Sequence, residues 1–278
     1  MARTNMAATR VKPAQARLVA LRVLRRTQIS PSFIRVTLGD GDIAQFTPMG
    51  FDQWFRLFLP VSDASLERLP NKLDTLSYLR FLTIAKTDRP VLRNYTVRAY
   101  RADGPEGPEL DVDFVVHGSA DDGTSGPAAT WAQTCAAGDT VALLDEGIAY
   151  NPTPEVAAQI ELVGDETALP AIAGVLASLD PRVTGRAIIE VPHADDRQSL
   201  DKPHAVDLRW IVRDDARAVP GVAALAEASS TTPAPNGRFH WAAGEQALPA
   251  AMRRSWVRGG VPKEHISFTG YWKHSGAH

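Results

Sequence analysis

From residue 17 onward, apolar and polar positions alternate with the two-residue period of half-buried strands. "RLVALRVLRR" places Val19, Leu21 and Val23 on one face. "SFIRVTLGD" follows and closes on Gly39-Asp40-Gly41, a turn signal. "QWFRLFLP" alternates again, with Phe55, Leu57 and Leu59 on one side and Trp54, Arg56 and Phe58 on the other, read as the polar side. "NYTVRAYR" and "ELDVDFVVHG" predict two more strands, separated by the turn-rich hairpin loop "ADGPEGP", and "DTVALLDEG" predicts another. One helix interrupts them. "SGPAATWAQTCAAGD" has Gly126-Pro127 at its start, Gly138 at its end and alanines between. The stretch "VSDASLERLPNKLDTLSYLRFLTIAKTDRP" is less regular and is expected to carry helical turns.

The pattern changes at "NPTPE", Asn151 to Glu155, the expected domain boundary. Beyond it strands alternate with helices. The strands are "AQIELVGD", "RAIIEV", "LRWIV", "RFHWAAGE" and "HISFTGYW"; the helices are "ETALPAIAGVLASL", "VAALAEAS" and "QALPAAMRRSWVRG". Short alternating strands with Gly/Pro turns suggest an antiparallel β-barrel, and strand–helix alternation an open α/β parallel sheet. The expected organisation is a disordered leader over 1–14, a barrel domain over 15–150 and an α/β domain with a C-terminal tail over 151–278.

Composition narrows the function classes. Of 278 residues, 44% are hydrophobic and 22% charged, enough for real cores. A formal net charge of −2 gives no reason to expect a nucleic-acid partner. The single cysteine, Cys135, rules out an internal disulfide or a CxxC pair and fits a reducing cytoplasm. Seven scattered histidines show no metal-ligand spacing, so no metal site is expected. The N-terminus has no apolar run to serve as a signal-peptide core, and no segment approaches the ~20 residues of a membrane helix, so neither secretion nor a membrane is expected.

Several stretches carry candidate chemistry. "RNYTVR" interleaves cations, an aromatic ring and a hydroxyl. A flavin asks for such a set: Tyr95 against the ring, Thr96 toward N5 and Arg93 for phosphate. A solvated strand face would read the same way. "DFVVHGSADDGTSGPAATWA" runs strand, loop, helix. Its His117 sits at the strand end, and Gly126, Ala128 and Thr130 lie around a helix N-terminus suited to anions. "ELVGDETALPAI" ends a strand at Gly164-Asp165 and opens a helix with Glu166-Thr167, where open α/β sheets bind ligands. Asp165 would also serve as a plain N-cap. There is no GxGxxG fingerprint. "HWAAGEQ" repeats the arrangement with Gly244 and Glu245, and "GYWKHSGAH" adds Lys273 and His274 beside two aromatic rings.

These five stretches, in this order, resemble the siderophore-interacting proteins, flavin-dependent ferric-siderophore reductases of the ferredoxin reductase-like superfamily. The resemblance runs from about residue 17 to 273. It implies that Arg93, Tyr95, Thr96, His117, Gly126, Ala128 and Thr130 bind FAD. It implies that Asp165, Glu166, Thr167, Gly244 and Glu245 line the nicotinamide side, and that Arg56, Lys273 and His274 face a ferric siderophore. The further basic residue expected after the aromatic pair is missing, with His274 the nearest offer. The implied activity is electron transfer from NADH or NADPH through FAD to the ferric siderophore, with no catalytic acid or base, in a cytoplasmic protein expected to be a monomer. The region "EVPHADDRQS" holds Arg197 and His193 but also Glu190, Asp195 and Asp196, and so leaves the choice of nucleotide open. A reductase with another acceptor, a ferredoxin in place of NAD(P)H, and a non-enzymatic siderophore-binding protein remain as alternatives.

Overall fold

The computed structural model describes residues 10–14, 17–62, 65–66, 81, 83–85, 87–118, 120–121, 123, 125–230 and 237–274. The irregular segment expected to carry helical turns lies mostly outside them, as do residues 1–9 of the expected leader. Val11 forms an isolated bridge with Ile148. The chain divides into two compact units. One holds residues 12–49 and 53–147. The other joins Val11 and Gly50–Asp52 to the chain from Ile148 onward.

The first unit is an antiparallel sheet of β1 (Leu18–Ser30), β2 (Phe33–Gly39), β3 (Trp54–Leu59), β4 (Val91–Thr96), β5 (Ala99–Gly104), β6 (Gly107–Val115) and β7 (Thr140–Gly147). The strand order is β4-β3-β7-β1-β2-β6-β5. Alternate residues of five strands meet in one core, among them Leu21, Val36, Leu57, Val112 and Leu143. The sheet is therefore curled around its inner face. "NYTVRAYR" is not the single strand expected. Val97 N donates to the Gln53 carbonyl beside β3, while Arg98 N donates to the Asp111 carbonyl on β6. The chain thus leaves one edge of the sheet and joins the other within two residues. Alternation continues through this seam, so the sequence pattern reads as unbroken although the neighbours change. The β3 face holding Trp54, Arg56 and Phe58 is also not simply polar. Phe58 packs with Phe81, Ala142 and Leu144 in a second apolar cluster.

On its outer side β6 carries Glu109, Asp111 and Asp113, all buried beneath arginines. Glu109 accepts from Arg25 at 2.7 and 2.6 Å and from Arg101 at 2.8 Å. Asp111 accepts from Arg101 and Thr37, and Asp113 from Arg35. Helix α1 (Pro127–Thr134) opens on Pro127 as expected, but ends one turn before Gly138. Cys135 then turns to an extended conformation.

The second unit is a parallel sheet of β8 (Gln159–Gly164), β9 (Thr184–Val191), β10 (Val206–Val212), β11 (Phe239–Glu245) and β12 (Ile266–Trp272), in the order β10-β9-β8-β11-β12. The order reverses between β8 and β11, the switch point where such sheets bind ligands. Helix α2 (Leu169–Ser178) starts after a 3-10 turn over Glu166–Ala168, and its Ile172 packs against Gly164. Helices α3 (Val222–Ser229) and α4 (Ala247–Arg258) share the other face with Val163, Ile188 and Ala242. Near the amino ends of the strands, Glu161 accepts from His240 Nδ1 at 2.7 Å and Trp256 Nε1 at 2.8 Å, and also pairs with Arg186.

Candidate functional site

In the first unit the flavin candidates lie at the seam. Phe55 opposes Tyr95 and Leu57 opposes Arg93, so Arg93 and Tyr95 share the inner side of β4. Tyr95 packs against Phe114 at 4.3 Å between ring centroids, and Phe114 against Trp131 of α1 at 5.6 Å. Phe114 thus joins β4 to the helix. Burial pushes the Tyr95 phenol well above its ordinary pKa, so this ring stays neutral. Arg93 is exposed, one of its Nη groups donating to its neighbour's carbonyl at 2.8 Å. Thr96 is buried on the other side of the strand, opposite Trp54.

The N-terminus of α1 belongs to the same unit. The first helical backbone bond is Thr130 N to the Gly126 carbonyl at 2.8 Å, so the amides of Ala128 and Ala129 precede the hydrogen-bonded ladder. Pro127 has no amide hydrogen. Among the described residues, no atom beyond its two chain neighbours lies within 4 Å of where a Cβ on Gly126 would sit, leaving room for a ligand against the backbone. Thr130 Oγ1 donates back to the Ser125 carbonyl at 3.3 Å. His117 is exposed, and its carbonyl accepts from Ser125 Oγ at 3.1 Å. Gln133, unnoticed in the sequence, pins this loop: its amide donates to Ser125 Oγ at 2.7 Å and accepts from Ala120 N at 3.0 Å. A cation, open amides and an aromatic plane fit a flat cofactor with a diphosphate. A separate cavity of about 480 Å³, lined by Arg17, Phe46, Met49 and Asp145 among others, includes none of these residues.

In the second unit Asp165 and Gly244 meet at the switch point. Asp165 Oδ1 accepts from Thr167 N at 2.9 Å and from its hydroxyl, and Oδ2 accepts from Glu245 N. This carboxylate ties the loop after β8 to the end of β11. Gly244 has φ +133, and a Cβ there would come within 2.4 Å of Asp165 Oδ2, so only glycine fits. Burial, then the adjacent Glu166 charge, raises Asp165 to about 7. Glu245 accepts from Ala247 N at 2.6 Å and His274 N at 3.1 Å, holding both the start of α4 and the tail after β12. Glu166 is buried and faces Arg213, which donates to it at 2.7 and 2.8 Å and to Glu190 at 3.0 Å. Glu190 also accepts from Gly221 N and Ala224 N, anchoring the start of α3. Arg213 was not legible as the partner of two acids 23 and 47 residues away. At the end of β9, Asp196 caps His193 N, while His193, Asp195 and Arg197 are exposed.

Of the substrate candidates, Arg56 pairs with Glu146 at 2.8 Å. Lys273 is exposed and His274 half-buried, its ring edge-on to Trp272 at 5.9 Å. Among the described residues no group of three or more His, Cys, Asp or Glu could hold a metal, and no helix is long and apolar enough to cross a membrane.

Comparison with known proteins gives a consistent result. Residues 22–150 match the siderophore-interacting FAD-binding domain, and residues 157–275 match the siderophore-interacting protein family. An uncharacterized protein of Mycobacterium tuberculosis is 36% identical over 92% of this chain and 90% of its own. The ferric vibriobactin reductase ViuB of Vibrio cholerae is 30% identical over 90% of this chain and 87% of its own. The solved structure of a siderophore utilization protein from T. fusca superposes with a TM-score of 0.75 at 30% identity, covering 96% of this chain and 97% of the other. A ferredoxin reductase of carbazole 1,9a-dioxygenase shares the fold at 14% identity, with a TM-score of 0.63 over 94% of this chain and 71% of the other.

Proposed function

The chain belongs to the siderophore-interacting protein family, and from that premise we propose that it is an FAD-dependent reductase taking electrons from NADH or NADPH and giving them to ferric siderophores. The observation that carries this reading is the pairing of Tyr95 and Arg93 with the open N-terminus of α1, joined through Phe114. Bound there, FAD would accept a hydride and release single electrons. The chain's own work is placement. Tyr95 offers its ring plane, and Arg93 and the amides of Ala128 and Ala129 meet the diphosphate. Gln133 and Ser125 fix the loop that carries His117. In the second unit Asp165 aligns the two loops at the switch point for the nicotinamide nucleotide. No side chain needs to move a proton in the rate-determining sense. The substrate iron, once Fe(II), is held far less tightly by hard oxygen ligands, and so it leaves. On this reading the protein works in the cytoplasm, where a single unpaired thiol stays reduced.

The test is a visible spectrum of purified protein under anaerobic conditions, with NADH or NADPH added first and a ferric siderophore second. Flavin bands that bleach with one nucleotide and return on adding the ferric chelate, with Fe(II) trapped by ferrozine, are expected. Bands that bleach but return only with another acceptor would sink the siderophore assignment. Bands that ignore both nucleotides would replace NAD(P)H with another donor.

A further inference from the structure

The acid beside Arg56 occupies a built position. Trp54 opposes Gly147 and Phe55 opposes Asp145, so Glu146 stands opposite no residue: β7 has a bulge there. Pairing then resumes with Arg56 opposite Leu144. Asp145 accepts from Gln53 Nε2 at 2.8 Å and Gly147 N at 2.8 Å. Glu146, next along the strand, faces the other way, onto the side of Leu144 and Arg56, where its Oε1 lies 2.8 Å from Nε. Arg56 keeps 29% of its side-chain exposure and Glu146 only 9%. Across the ladder from Arg56 stand Asn94 and Leu144, neither of them charged. With Phe58 two residues along in an apolar cluster, the pair sits in a setting where charges are screened less than on an open surface.

An unpaired arginine attracts a trianion in proportion to the product of their charges, whereas a neutralised one contributes little, and its carboxylate repels. A neutral chelate is indifferent to the change. We propose that Glu146 is a specificity-determining residue that sets the substrate class: ferric chelates of little or no net charge, such as trihydroxamates, over trianionic tris-catecholates. The inference rests on the reading of Arg56 as a substrate contact in a ferric-siderophore reductase.

The experiment separates binding from turnover. Gallium(III) complexes cannot be reduced, so dissociation constants of gallium(III) desferrichrome (neutral) and gallium(III) enterobactin (trianionic) are read by fluorescence quenching of the FAD-loaded protein. Unmodified protein is expected to prefer the neutral complex. Glu146→Gln keeps an acceptor near Arg56 but removes the charge. It is expected to tighten the trianion about tenfold and move the neutral complex less than about twofold. The double variant Arg56→Gln/Glu146→Gln is expected to return the ratio to that of the parent. A parent protein that prefers the trianion, or a Glu146→Gln change that shifts both complexes alike or neither, overturns the proposal. A parent preference for the trianion overturns the proposal even if a variant fails to fold. Ferric forms of the same chelates are assayed in parallel. Binding in the expected ratio without reduction leaves charge selection standing and defeats the reductase reading, whereas binding of neither complex defeats both.

Discussion

Asp165 has no exposed surface and accepts three hydrogen bonds, two from Thr167 and one from Glu245. Its folded pKa, raised from 3.8 to about 7, means that the folded protein binds a proton more tightly than the unfolded chain does. The stability from that proton is fully present below pH 3.8 and is lost as pH rises through 7. Asp165→Asn should therefore flatten the decline between pH 5 and pH 8, an effect on the order of a few kcal/mol. Urea unfolding of both proteins at the two pH values checks this; parallel declines would show that Asp165 does not titrate in this window. In the sequence, "GD" before a helix reads as an N-cap, and the structure agrees that Asp165 accepts from Thr167 N. The second bond, to Glu245 N across 80 residues, depends on which strands are neighbours. Local spacing carries no signal for it.

At the scale of the element, β6 shows what alternation reveals and what it hides. Leu110, Val112 and Phe114 alternate along the strand expected over "ELDVDFVVHG", and all three are in the core. The carboxylates that alternate with them, Glu109, Asp111 and Asp113, are buried under Arg25, Arg35 and Arg101, which come from three other strands. Hydrogen bonds from Arg25, then from Arg101, lower Glu109 to about 2. Its contribution is present above the ordinary value of 4.5 and is lost as pH falls toward 2. Glu109→Gln is expected to lower the melting temperature at pH 7 by a few degrees and to narrow that gap at pH 3. Scanning calorimetry at both values decides it, and an unchanged gap would remove Glu109 from the acid response. The seam at Val97-Arg98 and the bulge at Glu146 escaped the sequence for a shared reason. Each is a change of hydrogen-bonding partner within a chain that stays extended, and side-chain alternation records extension, not partnership.

At the scale of the molecule, the order of barrel-type strands before strand–helix alternation was legible, because a change of period from two to 3.6 residues survives in any single sequence. The five stretches that carry the family resemblance were legible because glycine, proline and charge sit at fixed offsets around turns. On the proposed reading, FAD held by β4 and the start of α1 would engage residues brought together only when the sheet is curled. Saturating the apoprotein with FAD at a hundredfold excess over its dissociation constant should raise the melting temperature by roughly 5–10 °C. A melting curve indifferent to FAD would mean that the cofactor does not bind the folded barrel.

The short excursion Gly50–Asp52 bears on how the chain can be divided. Asp52 accepts from Ala149 N at 2.9 Å and Tyr150 N at 2.8 Å, Phe51 stacks on Tyr150 at 5.5 Å, and Phe51 N donates to Ser178 Oγ at 2.8 Å. A fragment beginning at residue 148 would lack all of these partners and leave two buried amides without an acceptor. On the ribosome, Asp52 emerges 97 and 98 residues before Ala149 and Tyr150, and Phe51 127 before Ser178. Three residues made early must wait, already flanked by the barrel, for the second unit to be synthesised around them. Expressed without residues 50–52, the α/β unit would lose part of its own interior.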